Sequence, residues 1–197
     1  MIKEYRTSKL LLLPALLLSC PLGAAAQDWS DSEVVRRRAE PVVTYRAKLD
    51  GYFLVVEATH SKGWHTYALD NVERARERSG REHPETELPT RIEVAGGLRI
   101  DGNWFQTKPE DLSEEAIHWY TWGFGSRALF AVRVERVEGE KALVTINGQA
   151  CDAKACQMVS DVMLTLPLAA VDSLSQGEAR SSINFDELLE VTAETDN

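Results

Sequence analysis

The sequence is poor in soft metal ligands: its 197 residues include three Cys, three Met and four His. It has no Met-rich or His-rich tract, no second cysteine pair and no Cys and His spacing typical of zinc sites. We therefore expect no metal and no cofactor. Cu(I) binding by two thiolates stays open as an alternative, because Cu(I) accepts thiolate, thioether and imidazole ligands. The candidate ligands are Cys151 and Cys156 with Met158 or Met163 and one of His60, His65, His83 or His118.

Positive charge is also scarce. Acidic side chains number 31 against 22 basic ones, which gives a formal net charge of −9 at pH 7. Nucleic acids and anionic lipid surfaces attract basic proteins, so this charge argues against both as partners. There is no internal repeat, and a chain of this length normally forms one domain whose core does not need a disulfide.

Long apolar runs are absent except at the N terminus. Three basic residues precede an apolar block at residues 10–22, and three alanines at 24–26 offer a cleavage site. This pattern is typical of a secretory signal peptide, and the block is short for a membrane span. We expect residues 1–26 to be removed and the protein to be exported to the periplasm. A retained signal anchor is one alternative, and a lipoprotein modified at Cys20 is another.

In the remainder of the chain, apolar residues alternate with polar ones over short stretches bounded by turn residues. Such alternation is typical of half-buried strands. Several short strands with turns between them predict an all-β protein with an antiparallel β-sandwich. The clearest strand candidates are residues 52–59, 91–94, 130–134, 142–146 and 162–166.

Two long loop insertions interrupt these predicted strands. Residues 70–90 are dense in Arg and Glu and contain turn residues, which predicts a solvated loop with a turn of helix. A charged docking surface is the alternative for this segment. Residues 101–126 are first acidic and then aromatic. Aromatic side chains crowded into a loop require a surface to cover.

The C-terminal part begins with small polar residues that suit a linker. Asn184 could then cap a short helix, with Glu187 at its third position and an apolar stripe that includes Phe185 and Leu188. The predicted organisation is therefore a signal peptide at 1–26, an N-terminal extension at 27–40, the sandwich at 41–170, and a linker with a C-terminal helical tail at 171–197.

Signal removal would leave two cysteines, Cys151 and Cys156, in a polar loop between two apolar runs. Strands joined by a short connection have their ends close together, so a disulfide is feasible. Closing a loop of about six residues stabilises a fold by only about 2 kcal/mol, which favours a chemical role. A structural hairpin disulfide in a non-catalytic protein-binding or envelope-scaffold domain is the alternative. Lys154 would favour a thiolate at this site, whereas Asp152 would oppose it.

Five segments occur in an order that resembles a known domain. They are residues 63–67 (GWHTY), 89–94 (PTRIEV), the aromatic loop, 148–156 (GQACDAKAC) and 162–168. Together they resemble the N-terminal periplasmic domain of the DsbD family of membrane thiol:disulfide interchange proteins. The resemblance spans about residues 40–170.

The resemblance implies an immunoglobulin-like sandwich whose two loop cysteines cycle between dithiol and disulfide. In that family an aromatic cap loop covers the disulfide, and Trp119, Tyr120 or Trp122 would provide the shield here. Tyr67 matches the last aromatic residue of a turn that lies near the active site in the family.

By the same resemblance, Cys151 and Cys156 would be the redox pair of a thiol:disulfide exchange module. Its partners would be periplasmic thioredoxin-like proteins or other thiol oxidoreductases. The sequence contains neither the multi-helix membrane domain nor the thioredoxin-like domain of the family. We therefore expect a stand-alone exported domain. Either it receives electrons from separate proteins, such as a membrane electron transporter, or it has been freed for another use.

Overall fold

The structure is a computed structural model that describes residues 29–168 and 181–191. Within these ranges the chain forms strands β1 (Glu33–Arg37), β2 (Glu40–Asp50), β3 (Phe53–His60), β4 (His65–Tyr67), β5 (Arg91–Gly96), β6 (Leu98–Thr107), β7 (Glu110–Asp111), β8 (Trp122–Phe124), β9 (Arg127–Arg136), β10 (Lys141–Cys151), β11 (Cys156–Pro167) and β12 (Leu188–Val191). One sheet has the order β1-β2-β3-β9-β6-β12. The other has the order β11-β10-β4-β8-β7, with β5 also paired to β10.

The alternating sequence pattern is what packs the two sheets together. In β2 every second side chain from Val43 to Leu49 is buried, and in β10 the same holds from Ala142 to Ile146. Because successive side chains of a strand point to opposite faces, each strand contributes one apolar face. The apolar faces of both sheets form one core. The predicted all-β, immunoglobulin-like antiparallel sandwich is confirmed.

The second insertion is shorter than the sequence predicts. Strand β6 continues to Thr107, so the prediction of an insertion that starts at residue 101 is wrong. Gly102 and Asn103 look like turn residues, but they form an irregularity inside the strand, where the register with β9 shifts between Ile100 and Trp104. Gly102 has a φ of 109°, which glycine adopts readily.

The first insertion contains helix α1 (Asn71–Ser79), which is longer than the single turn expected. Its Arg and Glu residues are good helix formers, and an ion pair of 2.9 Å joins Arg74 to Asp70. The helix ends at Gly80, whose φ of 67° lets its backbone N–H bind the carbonyl oxygen of Arg76.

A fully buried asparagine, Asn71, fixes this insertion to the second sheet. Its Nδ2 donates hydrogen bonds to Thr86 Oγ1 at 3.1 Å and to the Glu87 carbonyl oxygen at 2.8 Å. Its Oδ1 accepts hydrogen bonds from the Trp122 backbone N–H at 2.7 Å and from Thr121 Oγ1 at 3.2 Å. One side chain therefore joins the start of α1, the segment around Glu87 and strand β8.

The C-terminal helix forms only one 3-10 turn, Phe185–Glu187, and the chain then continues as β12. Asn184 does not cap a helix here, because its side chain donates a hydrogen bond to the Glu187 carboxylate at 2.8 Å. The ring of Phe185 packs on Phe53, with 4.6 Å between ring centroids. Pairing of β12 with β6 takes precedence over the helical pattern, because the edge of β6 offers unpaired backbone groups.

The predicted signal peptide at 1–26, including Cys20, lies outside the described residues, as does most of the linker in 171–197. The described part of the N-terminal extension at 27–40 contributes β1 to the first sheet. Among the residues that the structure describes, none of the helices has the length and apolar character needed to span a membrane.

Replacing Asn71 with Ala should lower the free energy of unfolding by about 3 kcal/mol, since it leaves part-buried backbone groups of Glu87 and Trp122 without their side-chain partner. Urea denaturation followed by tryptophan fluorescence measures this change. The control is Asn103→Ala, because Asn103 is exposed and its side chain donates a hydrogen bond to the exposed carboxylate of Glu190. That variant should change the stability by no more than about 0.5 kcal/mol. Equal effects of the two substitutions would show that Asn71 does not have this structural role.

Candidate functional site

The two cysteines face each other across the end of the β10–β11 hairpin. Cys151 is the last residue of β10, Cys156 is the first of β11, and the two are direct partners in the ladder. A disulfide joins them, with an S–S distance of 2.13 Å and a Cα–Cα distance of 4.0 Å. Cys151 is only 3% exposed, whereas Cys156 is exposed. The disulfide therefore joins one buried cysteine to one exposed cysteine.

This difference in exposure follows from the order of the strands. Strand β10 lies inside the second sheet, with β4 on its other side, and Cys151 pairs there with His65. Strand β11 lies at the edge of the same sheet. The cysteine on the internal strand is buried, and the cysteine on the edge strand is exposed.

Asp152 organises the turn between the cysteines. Its Oδ1 accepts hydrogen bonds from the backbone N–H groups of Lys154 and Ala155, both at 2.8 Å. These two hydrogen bonds hold the pKa of Asp152 below its usual value, and the bond from Lys154 has the larger effect. The sequence predicts that this carboxylate opposes a thiolate. In the structure it binds the backbone N–H groups of the turn. Lys154 is exposed, and its predicted effect on the thiols stays a prediction.

Glu87 and Gln149 also lie at the disulfide, and neither is predicted from the sequence as a site residue. Gln149 Nε2 donates a hydrogen bond to Cys151 Sγ at 3.0 Å and another to the Glu87 carboxylate. Ala150 joins the core, so Gln149 and Cys151 point to the opposite face of β10. The period of two along a strand could have identified Gln149, whereas nothing in the local sequence marks Glu87.

Glu87 reaches this face because its segment packs closely on β10. Gly148 has a φ of 145°, and a Cβ at this position would lie 2.9 Å from the Pro89 carbonyl oxygen. Only glycine permits this approach without a shift of the backbone. The next residue, Thr90, donates its Oγ1 hydrogen to the Tyr67 carbonyl oxygen at 2.6 Å. The segment is therefore held against both β10 and β4.

Strand β4 brings His65 and Tyr67 to the same face. The Tyr67 hydroxyl lies 3.1 Å from His65 Nε2, and the two rings meet edge to face. Burial and the nearby charge of Glu87 raise the pKa of Tyr67. Burial lowers the pKa of His65, and the charge of Asp152 partly opposes this change. Tyr67, which the sequence predicts near the site, thus lies within electrostatic reach of Glu87.

The predicted cap residues lie in the loop before β8 and at its start. Trp122 packs against the hydrophobic core, whereas Cys151 points to the other face of the sheet. The backbone of Trp119 pairs with Glu114. The Tyr120 carbonyl oxygen accepts a hydrogen bond from Thr86 at 2.7 Å, which joins this loop to the Glu87 segment. A shielding role for Trp119, Tyr120 or Trp122 stays a prediction.

The residues proposed for Cu(I) occupy different environments. His60 lies in a buried pair with Thr66, and His65 lies in a part-buried pair with Tyr67. Met158 and Met163 are exposed and line a groove between β1 and β11. Soft metals bind thiolates, and neither sulfur of a disulfide is a thiolate. Metal binding at the cysteines would therefore require prior reduction of the disulfide.

The fold and the site define an immunoglobulin-like sandwich that carries a partly exposed hairpin disulfide. Among solved structures, the N-terminal periplasmic domain of ScsB from Proteus mirabilis matches with a TM-score of 0.50 and 15% identity. The match covers 71% of this chain and 52% of that domain, so the chain spans about half of its length. The reduced N-terminal domain of DsbD from Neisseria meningitidis matches with a TM-score of 0.45 and 13% identity, covering 64% of this chain and 85% of that one.

The match to the ScsB domain confirms, at the level of the fold, the predicted likeness to an N-terminal periplasmic domain of this type. No protein-family model and no curated protein matches the sequence.

Replacing Asp152 with Ala should make the disulfide easier to reduce, because a loosened turn lowers the effective concentration of one thiol near the other. We expect a shift of about fivefold in the equilibrium with reduced and oxidised glutathione. The control is Asp152→Asn, which retains an Oδ1 acceptor and should stay near the wild-type value. An unchanged equilibrium in Asp152→Ala would show that the turn does not hold the sulfurs together.

Proposed function

We propose that this protein is an exported thiol:disulfide exchange module whose Cys151–Cys156 pair alternates between disulfide and dithiol. The observation that carries this proposal is the unequal exposure of the two sulfur-bearing residues in one hairpin disulfide. An incoming thiolate must approach one sulfur along the S–S axis while the other sulfur leaves. An exposed sulfur bonded to a covered one suits this reaction.

In the reductive direction, a partner thiolate attacks Cys156 Sγ. The S–S bond breaks, its electron pair remains on Cys151 Sγ, and a mixed disulfide joins Cys156 to the partner. A second partner thiolate then displaces Cys156, so that the partner is oxidised and the pair becomes a dithiol. In the reverse direction, the Cys156 thiolate attacks the disulfide of an acceptor, and Cys151 resolves the mixed disulfide. Two electrons are transferred in each direction.

A structural role accounts less well for the same disulfide. The hairpin is already held by a ladder that runs from the Lys141–Pro167 pair to the two cysteines, and by the core beneath it. A crosslink that closes so short a loop adds only about 2 kcal/mol by restricting the unfolded chain. The bond therefore contributes little to a sandwich of this size.

The proposed partners follow from the exposed sulfur at the hairpin tip and from the resemblance to DsbD-type domains. Thioredoxin-like proteins have an accessible nucleophilic cysteine that can reach such a tip. The matched part of ScsB is an N-terminal periplasmic domain, and the matched part of DsbD is an N-terminal domain. We accordingly propose periplasmic thioredoxin-like partners and a separate membrane electron transporter as the electron source.

The proposal predicts that only one cysteine reacts readily with a protein partner. The test uses a thioredoxin-fold protein that lacks its resolving cysteine and carries thionitrobenzoate on the other. Reduced Cys151→Ser, which keeps Cys156, should form a covalent complex with it and release thionitrobenzoate. Reduced Cys156→Ser, which keeps the buried cysteine, should react at least about tenfold more slowly. Release is followed by absorbance, and the complex is observed on a non-reducing gel.

The control repeats both reactions in denaturing urea, where the two variants should react at similar rates because burial no longer protects Cys151. Two outcomes would contradict the proposal. One is a folded Cys156→Ser that reacts as fast as Cys151→Ser, and the other is the absence of any complex with either variant.

A further inference from the structure

A carboxylate and both sulfurs meet on the outer face of the second sheet. The ligand-bearing atoms of Glu87, Cys151 and Cys156 all lie within 4.8 Å of one another. Glu87 is half-buried and comes from the connection between α1 and β5, so the fold rather than the local sequence brings it to the disulfide. A carboxylate at this distance can exchange a proton with a sulfur directly or after a small side-chain rotation.

Gln149 links the carboxylate to the covered sulfur. Its NH₂ group has two hydrogens, and one is donated to the Glu87 carboxylate while the other is directed at Cys151 Sγ. A hydrogen bond to the charged form of a group stabilises that form. The Gln149 amide can therefore stabilise the thiolate that develops on Cys151 when the disulfide opens. It also holds the Glu87 carboxyl group beside that sulfur.

We propose that Glu87 donates a proton to Cys151 Sγ when the disulfide opens and removes that proton when the disulfide closes. The inference rests on the proposed function, since it assigns a proton-transfer residue to the same exchange reaction. It gives the covered sulfur a means of changing its protonation state although bulk water cannot reach it freely.

In the opening step, a thiolate bonds to Cys156 Sγ and the electron pair of the S–S bond moves to Cys151 Sγ. The Glu87 carboxylic acid transfers its proton to this sulfur and becomes a carboxylate, which later takes a proton from solvent. In the closing step, the Glu87 carboxylate accepts the proton of the Cys151 thiol. The sulfur then attacks Cys156 Sγ of a mixed disulfide, and the partner leaves as a thiolate.

The surroundings of Glu87 suit this role. Burial raises the pKa of its carboxyl group, and the hydrogen bond from Gln149 partly opposes the shift. The titratable groups that face the pair are Tyr67 and His65 on β4 and Asp152 in the hairpin turn, which Arg37 of β1 influences by its charge. His65 Nε2 interacts with the Tyr67 hydroxyl, and Asp152 binds backbone N–H groups. Glu87 is thus the carboxyl group that lies close enough to exchange a proton with Cys151 Sγ.

The test follows closure of the reduced protein by oxidised glutathione, at glutathione concentrations where the overall rate has reached its plateau. Acid quenching, alkylation and mass spectrometry separate the reduced protein, the Cys156–glutathione adduct and the closed disulfide. Glu87→Gln should slow the conversion of adduct into disulfide by at least about tenfold at pH 6.5. The deficit should shrink as the pH rises past about 8.5, where a thiol ionises without help.

Two controls separate proton transfer from structural damage. Glu85→Gln alters an exposed carboxylate in the same segment and should match the wild type at every pH. Gln at position 87 can still accept the hydrogen bond from Gln149, so the adduct should form on Cys156 at the wild-type rate. Glu87→Asp keeps the carboxyl group but places it one methylene group farther from Cys151 Sγ. It should slow closure with the same pH dependence as Glu87→Gln, but by a smaller factor.

A loss in Glu87→Gln that is equal at all pH values, or no loss at all, would overturn the inference while leaving the exchange function intact. A wild-type protein that forms no adduct, or whose adduct never closes, would instead contradict the proposed function itself.

Discussion

The register of the β10–β11 hairpin is the constraint on which the proposed chemistry depends. It places Cys151 directly opposite Cys156, on the same face of the sheet. A slip by one residue would move one of the two side chains to the other face and separate the sulfurs. Because β10 is internal and β11 lies at the edge, the same register also covers one cysteine and exposes the other. Strand order thus determines which sulfur a partner can attack.

A second constraint is the attachment of the first insertion to the sheet. Asn71 connects α1, the Glu87 backbone and β8 through four hydrogen bonds of its buried amide. Gly148 permits the close approach of the following segment to β10. These contacts position Glu87 beside the disulfide, and Gln149 then binds the carboxylate and Cys151 together. The environment of the covered sulfur is therefore assembled by residues far apart in the sequence.

The strands and the cysteine pair could be predicted from the sequence because their signals are local. Alternating apolar residues predict β10 and β11 on either side of the cysteines, and the structure has both strands. The bulge at Gly102 and the pairing of β12 could not be predicted in this way, because each depends on a neighbouring strand. Glu87 could not be predicted for the same reason. Its charged insertion has the sequence of a solvated loop, and only the structure shows that the buried Asn71 attaches this insertion to the sheet. Gln149 could have been predicted from the sequence, because it lies two residues before Cys151 and side chains two residues apart in a strand share one face.

The most direct test of whether this disulfide is a reagent is its reduction potential, measured by equilibrating the folded protein with defined ratios of reduced and oxidised dithiothreitol or glutathione. A pair that exchanges electrons with partner thiols should have a potential above about −300 mV, within reach of periplasmic thioredoxin-like proteins. A potential well below that value would mean that the bond resists reduction and is structural, and would contradict the redox role proposed for Cys151 and Cys156.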